Sequence, residues 1–370
     1  MTPAARVAAA IEILDAIFDG TAAEPALTGW GRRHRFAGSK DRAAIRDHVF
    51  QALRCRASYG WLGGSQSGRG VMLGAMRAAD LAEQVFTAEG YAPDVVQEGE
   101  GERPLSQADR HIRFDMPDWL LPHFDTALGD GADRVLEILK DRAGVFLRVN
   151  EARTTTMKAI ESLAGDGVVA VAVSDINCAL QVVENERRVA QSTAYISGMV
   201  ELQDPSSQQA MFMLGIKAGQ RVLDLCAGGG GKALAMAAMG ADVTAHDIDV
   251  RRMADIEPRA QRAGVTIQTV ETRDLATLEA FDLVLVDAPC SGSGTWRRAP
   301  MAKWELTPDR LQELTTIQDK VLEQAAAQLK VNGTLAYATC SVFEVENRER
   351  IQAFLARRSS FKTIEDLQLY

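Results

Sequence analysis

Two cysteines near the end of the chain each follow a segment that reads as a buried strand. Cys290 lies in the segment DAPCSG (287–292), and Cys340 lies between Thr339 and Ser341. Apolar runs at 281–286 and 333–338 predict the parallel strands before them. Open α/β folds build their sites at the carboxyl ends of such strands, where a thiolate is a candidate nucleophile. Each cysteine taken alone could instead be a small buried hydrophobe, and together they point to covalent chemistry.

A glycine-rich turn precedes both cysteines in the chain. It runs from a predicted strand into a predicted helix and comprises Cys226, Ala227, Gly228, Gly229, Gly230, Gly231 and Lys232. Glycines let a backbone approach a ligand closely, and the helix start offers unpaired N–H groups. A Walker A loop is excluded because its first glycine would fall at Cys226 and its Ser/Thr at Ala233. The turn predicts a nucleotide-like cofactor, although a tight strand–helix connection alone could also use it.

Acidic residues occur at or just after four successive predicted strands, at Asp224, Asp247, Asp274 and Asp287. Asp247 lies 19 residues after Gly228, the spacing at which an acid binds ribose hydroxyls in nucleotide-binding folds. NAD and S-adenosylmethionine fit this spacing equally well. Asp274 is placed to receive the adenine side and Asp287 to lie near the methionine end. Any one of these acids could merely cap a helix.

Two thiols beside such a cofactor suit methyl transfer to a pyrimidine. Carbon 5 of the ring is too weakly nucleophilic to take a methyl group unaided. Addition of a thiolate at carbon 6 makes carbon 5 an enamine-like nucleophile, and loss of the carbon 5 proton with expulsion of the thiolate completes the turnover. A second cysteine or an acid can assist release by proton transfer.

Composition bounds the class of protein. The chain has 370 residues, 46% hydrophobic residues and a net charge of −9, which argues against non-specific coating of nucleic acid. A local basic run is the exception, and it reads as a phosphate-contacting surface or as an ordinary solvated helix face; its members are Arg32, Arg33, Arg35, Lys40, Arg42, Arg46, Arg54 and Arg56. The five scattered cysteines lack zinc spacing. We therefore expect no metal, no membrane span and a reduced, cytoplasmic protein.

Three regions are predicted along the chain. Residues 1–110 read as helical, 111–200 as a small mixed α/β module, and 201–370 as alternating strands and helices. That alternation predicts a doubly wound parallel sheet with helical crossovers. The fold class is α/β, with a Rossmann-like domain preceded by a helical domain and a small α/β module.

Seven separate motifs together indicate a resemblance to one known protein family. The chain resembles the RsmB/Nop2/Sun family of RNA 5-methylcytosine methyltransferases over residues 201 to about 355, in the family's order of motifs. The matching segments are 203–208, 223–232, 247–249 with Asp274, 287–294, 297–298 with 303–304, 339–341, and 346–347. Phe146–Asn150 resembles the family's small RNA-recognition module, and Ser39–Arg54 resembles the NusB-like helical domain of the bacterial RsmB branch.

The resemblance implies a role for each residue. Cys340 is the nucleophile, Cys290 promotes product release, and Asp287 contacts the cytosine and the cofactor. Residues 226–232, Asp247 and Asp274 hold S-adenosylmethionine. The implied substrate is RNA, above all small-subunit ribosomal RNA, whose phosphates meet Arg297, Arg298 and Lys303. We expect the protein to act as a monomer.

Two departures from the family pattern bear on these expectations. Position 229 is Gly where the family usually has Pro, so the turn loses stiffness and cofactor affinity is expected to fall. The family also continues into a last strand ending in an Asp-Gly-Phe-Phe-type segment, which this sequence does not contain. We therefore expect a gap or an exposed edge in the sheet.

Three other interpretations stay open. A DNA cytosine methyltransferase would use Cys290, the cysteine of a Pro-Cys pair, as its nucleophile. A nicotinamide-dependent dehydrogenase would use the glycine turn and Asp247 but leaves both cysteine motifs unexplained. A non-catalytic RNA-binding relative would keep the fold alone.

Overall fold

The computed structural model describes residues 1–101 and 103–367, which divide into two compact units. The first unit comprises residues 1–143, 292–307 and 342–344, and the second comprises residues 144–291, 308–341 and 345–370. The predicted boundary near residue 110 therefore differs from the structure, which groups residues 111–143 with the helical unit. No helix in the described part of the chain is long and apolar enough to cross a membrane.

The first unit is helical, as predicted. Its helices are α1 (Pro3–Phe18), α2 (Ala23–Arg33), α3 (Ser39–Arg54), α4 (Arg56–Leu62), α5 (Gly68–Ala78), α6 (Ala82–Val85), α7 (Arg110–Arg113), α8 (Leu121–Leu128), α9 (Ala132–Leu139) and α15 (Ala302–Glu305). Helix α1 begins where the Thr2 hydroxyl accepts the Ala5 N–H, with Pro3 at the first helical position. Its apolar face meets those of α3 and α5 in one core that includes Leu14, Ile45 and Leu73.

The second unit begins with a small antiparallel sheet. Its strands are β1 (Val145–Val149), β2 (Val169–Ala172), β3 (Ala179–Glu184) and β4 (Val200–Leu202), in the order β2-β3-β1-β4. Helix α10 (Thr156–Gly165) contacts β2, and Ala159 and Leu163 on that helix join the core of the module. Helix α11 (Thr193–Ile196) precedes β4. Strands β1, β2 and β3 lie within residues 111–200, for which the sequence predicts a small mixed α/β module.

A five-stranded parallel sheet forms the rest of the second unit and confirms the predicted doubly wound fold. Its strands are β5 (Arg221–Asp224), β6 (Asp242–His246), β7 (Ile267–Val270), β8 (Phe281–Asp287) and β9 (Leu329–Ala338), in the order β7-β6-β5-β8-β9. The accompanying helices are α12 (Pro205–Met213), α13 (Gly231–Ala238), α14 (Ile256–Ala263), α16 (Pro308–Ala326) and α17 (Arg348–Arg357). Strand β9 lies at one edge of this sheet, and its residues are partly buried or exposed.

Lys303 lies in the interior of the first unit, so the expectation that it meets an RNA phosphate is corrected. Its side chain is buried and its ammonium donates to the Arg54 carbonyl oxygen at 2.8 Å. Burial lowers its pKa to about 8. Asp115 is also buried, interacts electrostatically with Lys303, and accepts hydrogen bonds from the Ser58 N–H at 2.8 Å and the Ser58 hydroxyl at 2.6 Å. Charged groups buried in this way hold a fold together rather than bind a ligand.

We expect Asp115→Ala to destabilise the first unit by about 1–3 kcal/mol, because it leaves the buried Ser58 N–H and hydroxyl without their acceptor. Urea unfolding of the intact chain measures the change. Asp118→Ala, at a side chain that is 83% exposed, is the control and should change stability by less than about 0.5 kcal/mol. Equal stability of the two variants would contradict this account.

Candidate active site

The two cysteine sulfurs lie 3.3 Å apart, as the strand-end argument predicts. Strands β8 and β9 pair in parallel with Asp287 opposite Ala338, and the Ala288 N–H continues the ladder to the Ala338 carbonyl oxygen at 2.9 Å. Cys290 and Cys340 therefore leave neighbouring strands at the same level. Cys340 is exposed and Cys290 is partly buried, so a substrate can reach both.

Glu346 fixes the loop that carries Cys290. Its buried carboxylate accepts the Ser291 N–H at 2.8 Å and a short hydrogen bond from the Ser291 hydroxyl. The Gln318 amide donates to the same carboxylate at 3.0 Å and to the Pro289 carbonyl oxygen at 2.9 Å. Both neighbours of Cys290 are thus held in place.

Asn347 fixes the loop that carries Cys340 in a similar way. Its side-chain oxygen accepts the Thr339 hydroxyl at 2.6 Å, and its amide donates to the Ser341 carbonyl oxygen at 2.9 Å. The Ser291 and Ser341 hydroxyls lie 3.2 Å apart and connect the two loops. Residues 346–347 belong to the motifs of the resemblance, but the sequence predicts no role for them. Nothing in a single sequence distinguishes a Glu that will be buried from one that will be exposed.

Lys232 and Asp287 form an ion pair of 2.7 Å next to the thiols. Burial alone would lower the pKa of the Lys232 ammonium, but the negative groups around it, Asp287 foremost, together outweigh burial and the pKa is raised. Asp224 and Cys340 act on Lys232 in the same direction. The Lys232 ammonium therefore interacts electrostatically with the sulfur of Cys340.

Asp224 lies buried beside this pair at the end of β5. Both of its carboxylate oxygens are shielded from solvent, and the Ala233 N–H is the backbone donor that acts on them. Burial, reinforced by the nearby Asp287 charge, raises its pKa to about 7. Cys226 is also buried, and its burial raises the pKa of its thiol to about 12. Cys226 is therefore no nucleophile near neutral pH.

Asp247 organises the glycine turn. Its carboxylate accepts the Gly228 N–H at 2.9 Å and the Asp249 N–H at 3.0 Å, and it pairs with Arg252 at 3.0 Å. Gly228 and Gly230 have φ values of 51° and 79°, a region that favours glycine. A Cβ on Gly230 would lie 2.8 Å from Cγ1 of Ile256. The turn therefore needs glycine at both positions.

An arginine that sequence reasoning missed holds the turn at Gly229. The Arg259 guanidinium donates a short hydrogen bond to the Gly229 carbonyl oxygen, and it pairs with Glu201 at 3.4 Å. Glu201 pairs also with Arg262 at 2.7 Å. Gln203, a residue of the resemblance, donates to the Gly231 carbonyl oxygen at 3.1 Å.

The remaining predicted residues lie in two places. Asp274 is exposed in a short 3₁₀ helix (272–277) after β7, with Arg273 at 3.9 Å. In the first unit Arg297 donates to the carbonyl oxygens of Asp141 at 3.2 Å and Arg142 at 2.8 Å, while Arg298 is exposed. Within residues 1–101 and 103–367, no cluster of three or more His, Cys, Asp or Glu could hold a metal.

Two models of known protein families match this chain. A family model described as "16S rRNA methyltransferase RsmB/F" matches residues 211–368, which hold both cysteines and the glycine turn. A second, described as the ferredoxin-like domain of RsmF/B-like methyltransferases, matches residues 116–189. S-adenosylmethionine is the cofactor of this family.

One curated relative is the ribosomal RNA small subunit methyltransferase B of Salmonella typhi. It is 34% identical over 257 residues, which are 68% of this chain and 60% of that protein. The chain thus spans about 60% of the length of this relative.

Two solved structures are also similar. The crystal structure of PH0851 covers 97% of this chain and 90% of its own, with a TM-score of 0.73 and 22% identity, which speaks for the fold. A methyltransferase homologue from Pyrococcus horikoshii covers 69% of this chain and 83% of its own, with a TM-score of 0.58 and 25% identity. The motifs, the family models and the shared fold agree, and the chain belongs to the RsmB/Nop2/Sun family of RNA methyltransferases.

Proposed function

We propose that the protein methylates carbon 5 of cytosine in small-subunit ribosomal RNA, using S-adenosylmethionine and a covalent bond between Cys340 and the base. The observation that carries the proposal is the pair of thiols 3.3 Å apart at adjacent strand ends, beside the Lys232–Asp287 ion pair. The name of the Salmonella relative supports the choice of ribosomal RNA. A monomer in the cytoplasm stays a prediction.

The residues at the sheet edge fit S-adenosylmethionine. Gly228 and Gly230 hold the turn in backbone conformations that favour glycine, and the ordered Asp247 carboxylate suits ribose hydroxyls. Asp224, Asp247 and Asp287 set three acids against Lys232 and Arg252, and an acidic site suits the sulfonium and ammonium charges of the cofactor. Residues 226–232, Asp247, Asp274 and Asp287 would hold the cofactor, which supplies an electrophilic methyl group.

In the proposed mechanism Cys340 acts first. Its thiolate, which interacts electrostatically with the Lys232 ammonium, adds to carbon 6 of a cytosine that has left its stack. The electron pair of the 5,6 double bond moves to carbon 5, which takes the methyl group. Cys290 then accepts the carbon 5 proton, and the electrons of that C–H bond restore the double bond and expel the Cys340 thiolate.

Labelled methyl transfer to undermodified ribosomal RNA, followed by digestion to nucleosides, tests the reaction. We expect the label in 5-methylcytidine. Label in another nucleoside would refute carbon 5 of cytosine as the target. Transfer to duplex DNA but not to RNA would instead favour the DNA methyltransferase interpretation.

Cys340→Ala should lower methyl transfer by at least about 10³-fold, because no other group can replace the nucleophile. Its exposure means that the fold should survive, which circular dichroism checks. The control is Cys178→Ala, because burial raises the pKa of Cys178 to about 12 and keeps it a thiol. Full activity of Cys340→Ala would refute the proposed mechanism.

Cys290→Ala should accumulate an RNA–protein adduct that survives a denaturing gel, because the bond to Cys340 forms but release is slow. The double variant Cys290→Ala/Cys340→Ala should give no adduct. Normal turnover by Cys290→Ala without any adduct would remove Cys290 from the release step.

Glu346→Ala and Asn347→Ala should separate the two steps, because each residue holds a different cysteine loop. A displacement of about 1 Å can cost about 10²-fold in rate. We expect Glu346→Ala to slow release and build up adduct, and Asn347→Ala to slow adduct formation. The control is Glu349→Ala, whose side chain is 51% exposed. Equal effects of both variants on both steps would indicate general loss of structure.

A further inference from the structure

The loop between α2 and α3, residues 34–38, exposes one aromatic side chain of the first unit. Phe36 is 72% exposed. A single exposed hydrophobic residue is common on protein surfaces and by itself needs no explanation. The rigidity of this loop and the charges around it distinguish Phe36 from other exposed residues.

Contacts among the rings of Trp30, His34 and Phe36 anchor the loop. Trp30 is buried and its indole N–H donates to Glu12 at 3.0 Å. The His34 ring stacks on Trp30 with centroids 4.3 Å apart, and Phe36 meets His34 edge-on at 5.7 Å. Phe36 is thus anchored by His34 while most of its side chain stays exposed, which reduces the ordering that binding would require.

Ala37, the residue after Phe36, helps to fix the backbone of the loop. Ala37 is buried in the core of the unit, and its carbonyl oxygen accepts a hydrogen bond from Nε of Arg42 at 2.9 Å. Ala37 therefore ties the loop backbone to the core, while the Phe36 side chain lies outside that core.

Three exposed cations close to Phe36 in sequence, Arg32, Arg35 and Lys40, have no ion pair within the described part of the chain. Their neighbours differ, since Arg33 pairs with Glu12 at 3.3 Å and Arg46 pairs with Glu24. From residue 30 to residue 46 there are six Lys or Arg and one acid, Asp41, in a chain whose net charge is −9. This local excess of positive charge calls for an anionic partner.

We propose that Phe36, Arg32, Arg35 and Lys40 form a stacking site for single-stranded RNA. The inference rests on the proposed function, which makes RNA the substrate. An exposed aromatic face flanked by cations that contact phosphates is the arrangement by which proteins bind unpaired strands. A protein partner would use the apolar surface of Phe36 but would not need its π face, and the test exploits that difference.

The test measures binding of a labelled 20-nucleotide single-stranded RNA to the full chain at several salt concentrations. Phe36→Ala should weaken binding by about 5- to 150-fold, the range for the loss of one stacked base. Phe36→Leu, which stays apolar but lacks a ring, should weaken it nearly as much. Phe36→Trp should bind at least as well as the unchanged chain and show added fluorescence that RNA quenches.

The salt dependence of RNA binding tests the three cations separately. Arg32→Ala/Arg35→Ala/Lys40→Ala should reduce the slope of log affinity against log salt by about 2, since each phosphate contact contributes roughly 0.7 for single strands. The controls are Tyr91→Ala, at an aromatic residue 86% exposed, and Arg134→Ala, at an exposed arginine on α9. Both controls should bind RNA like the unchanged chain.

Two outcomes would overturn the proposal. RNA binding by Phe36→Leu equal to that of the unchanged chain would show that no base stacks on the Phe36 ring. Unchanged binding and salt slope in the triple variant would show that the cations meet no phosphate. These assays need no methyl transfer, so they can fail or succeed independently of the proposed reaction. If both hold, Phe36→Ala should raise KM for RNA and leave kcat unchanged.

Discussion

Parallel pairing of β8 with β9 is the constraint on which the site depends. Neighbouring strands lie about 4.8 Å apart, so two loops that leave them at the same level start close together. The register places Asp287 opposite Ala338, and each cysteine follows within three residues. A shift of one residue would move one thiol by about 3.3 Å along the strand and turn its side chain to the other face. The distance of 3.3 Å between the sulfurs is therefore a consequence of the sheet.

Two buried acids near this edge of the sheet, Glu346 and Asp224, differ in the hydrogen bonds that they accept. Glu346 receives hydrogen bonds from Ser291 and Gln318, which stand in for the water lost on burial. Asp224 has only the Ala233 N–H as a backbone donor, and its pKa rises to about 7 as a result of burial and the Asp287 charge. The first arrangement suits a carboxylate that orders a loop. The second suits a group whose charge responds to what binds nearby.

The fold could be predicted further from the sequence than the site could. Apolar runs at 281–286 and 333–338 gave both cysteine-bearing strands, because parallel strands are buried on both faces and need continuous hydrophobic segments. Nothing local marks Lys303 as buried, since its helix α15 has four residues and only packing in the first unit encloses its ammonium. Glu346 was equally hidden, because its partners lie 28 and 55 residues away in the chain. Long-range contacts of this kind leave no pattern in a single sequence.

The glycine at position 229 shows how a contact elsewhere in the unit can replace backbone stiffness. A Gly in place of Pro enlarges the unfolded ensemble and costs about 0.4–1 kcal/mol at a site that either residue fits. A hydrogen bond to a charged group contributes about 1.5–3 kcal/mol, and Arg259 supplies one to the Gly229 carbonyl oxygen. Arg259 is itself held by Glu201, whose side chain is only 8% exposed. The tether therefore has enough free energy to offset the lost proline, so the looser turn expected from sequence does not require weaker cofactor binding.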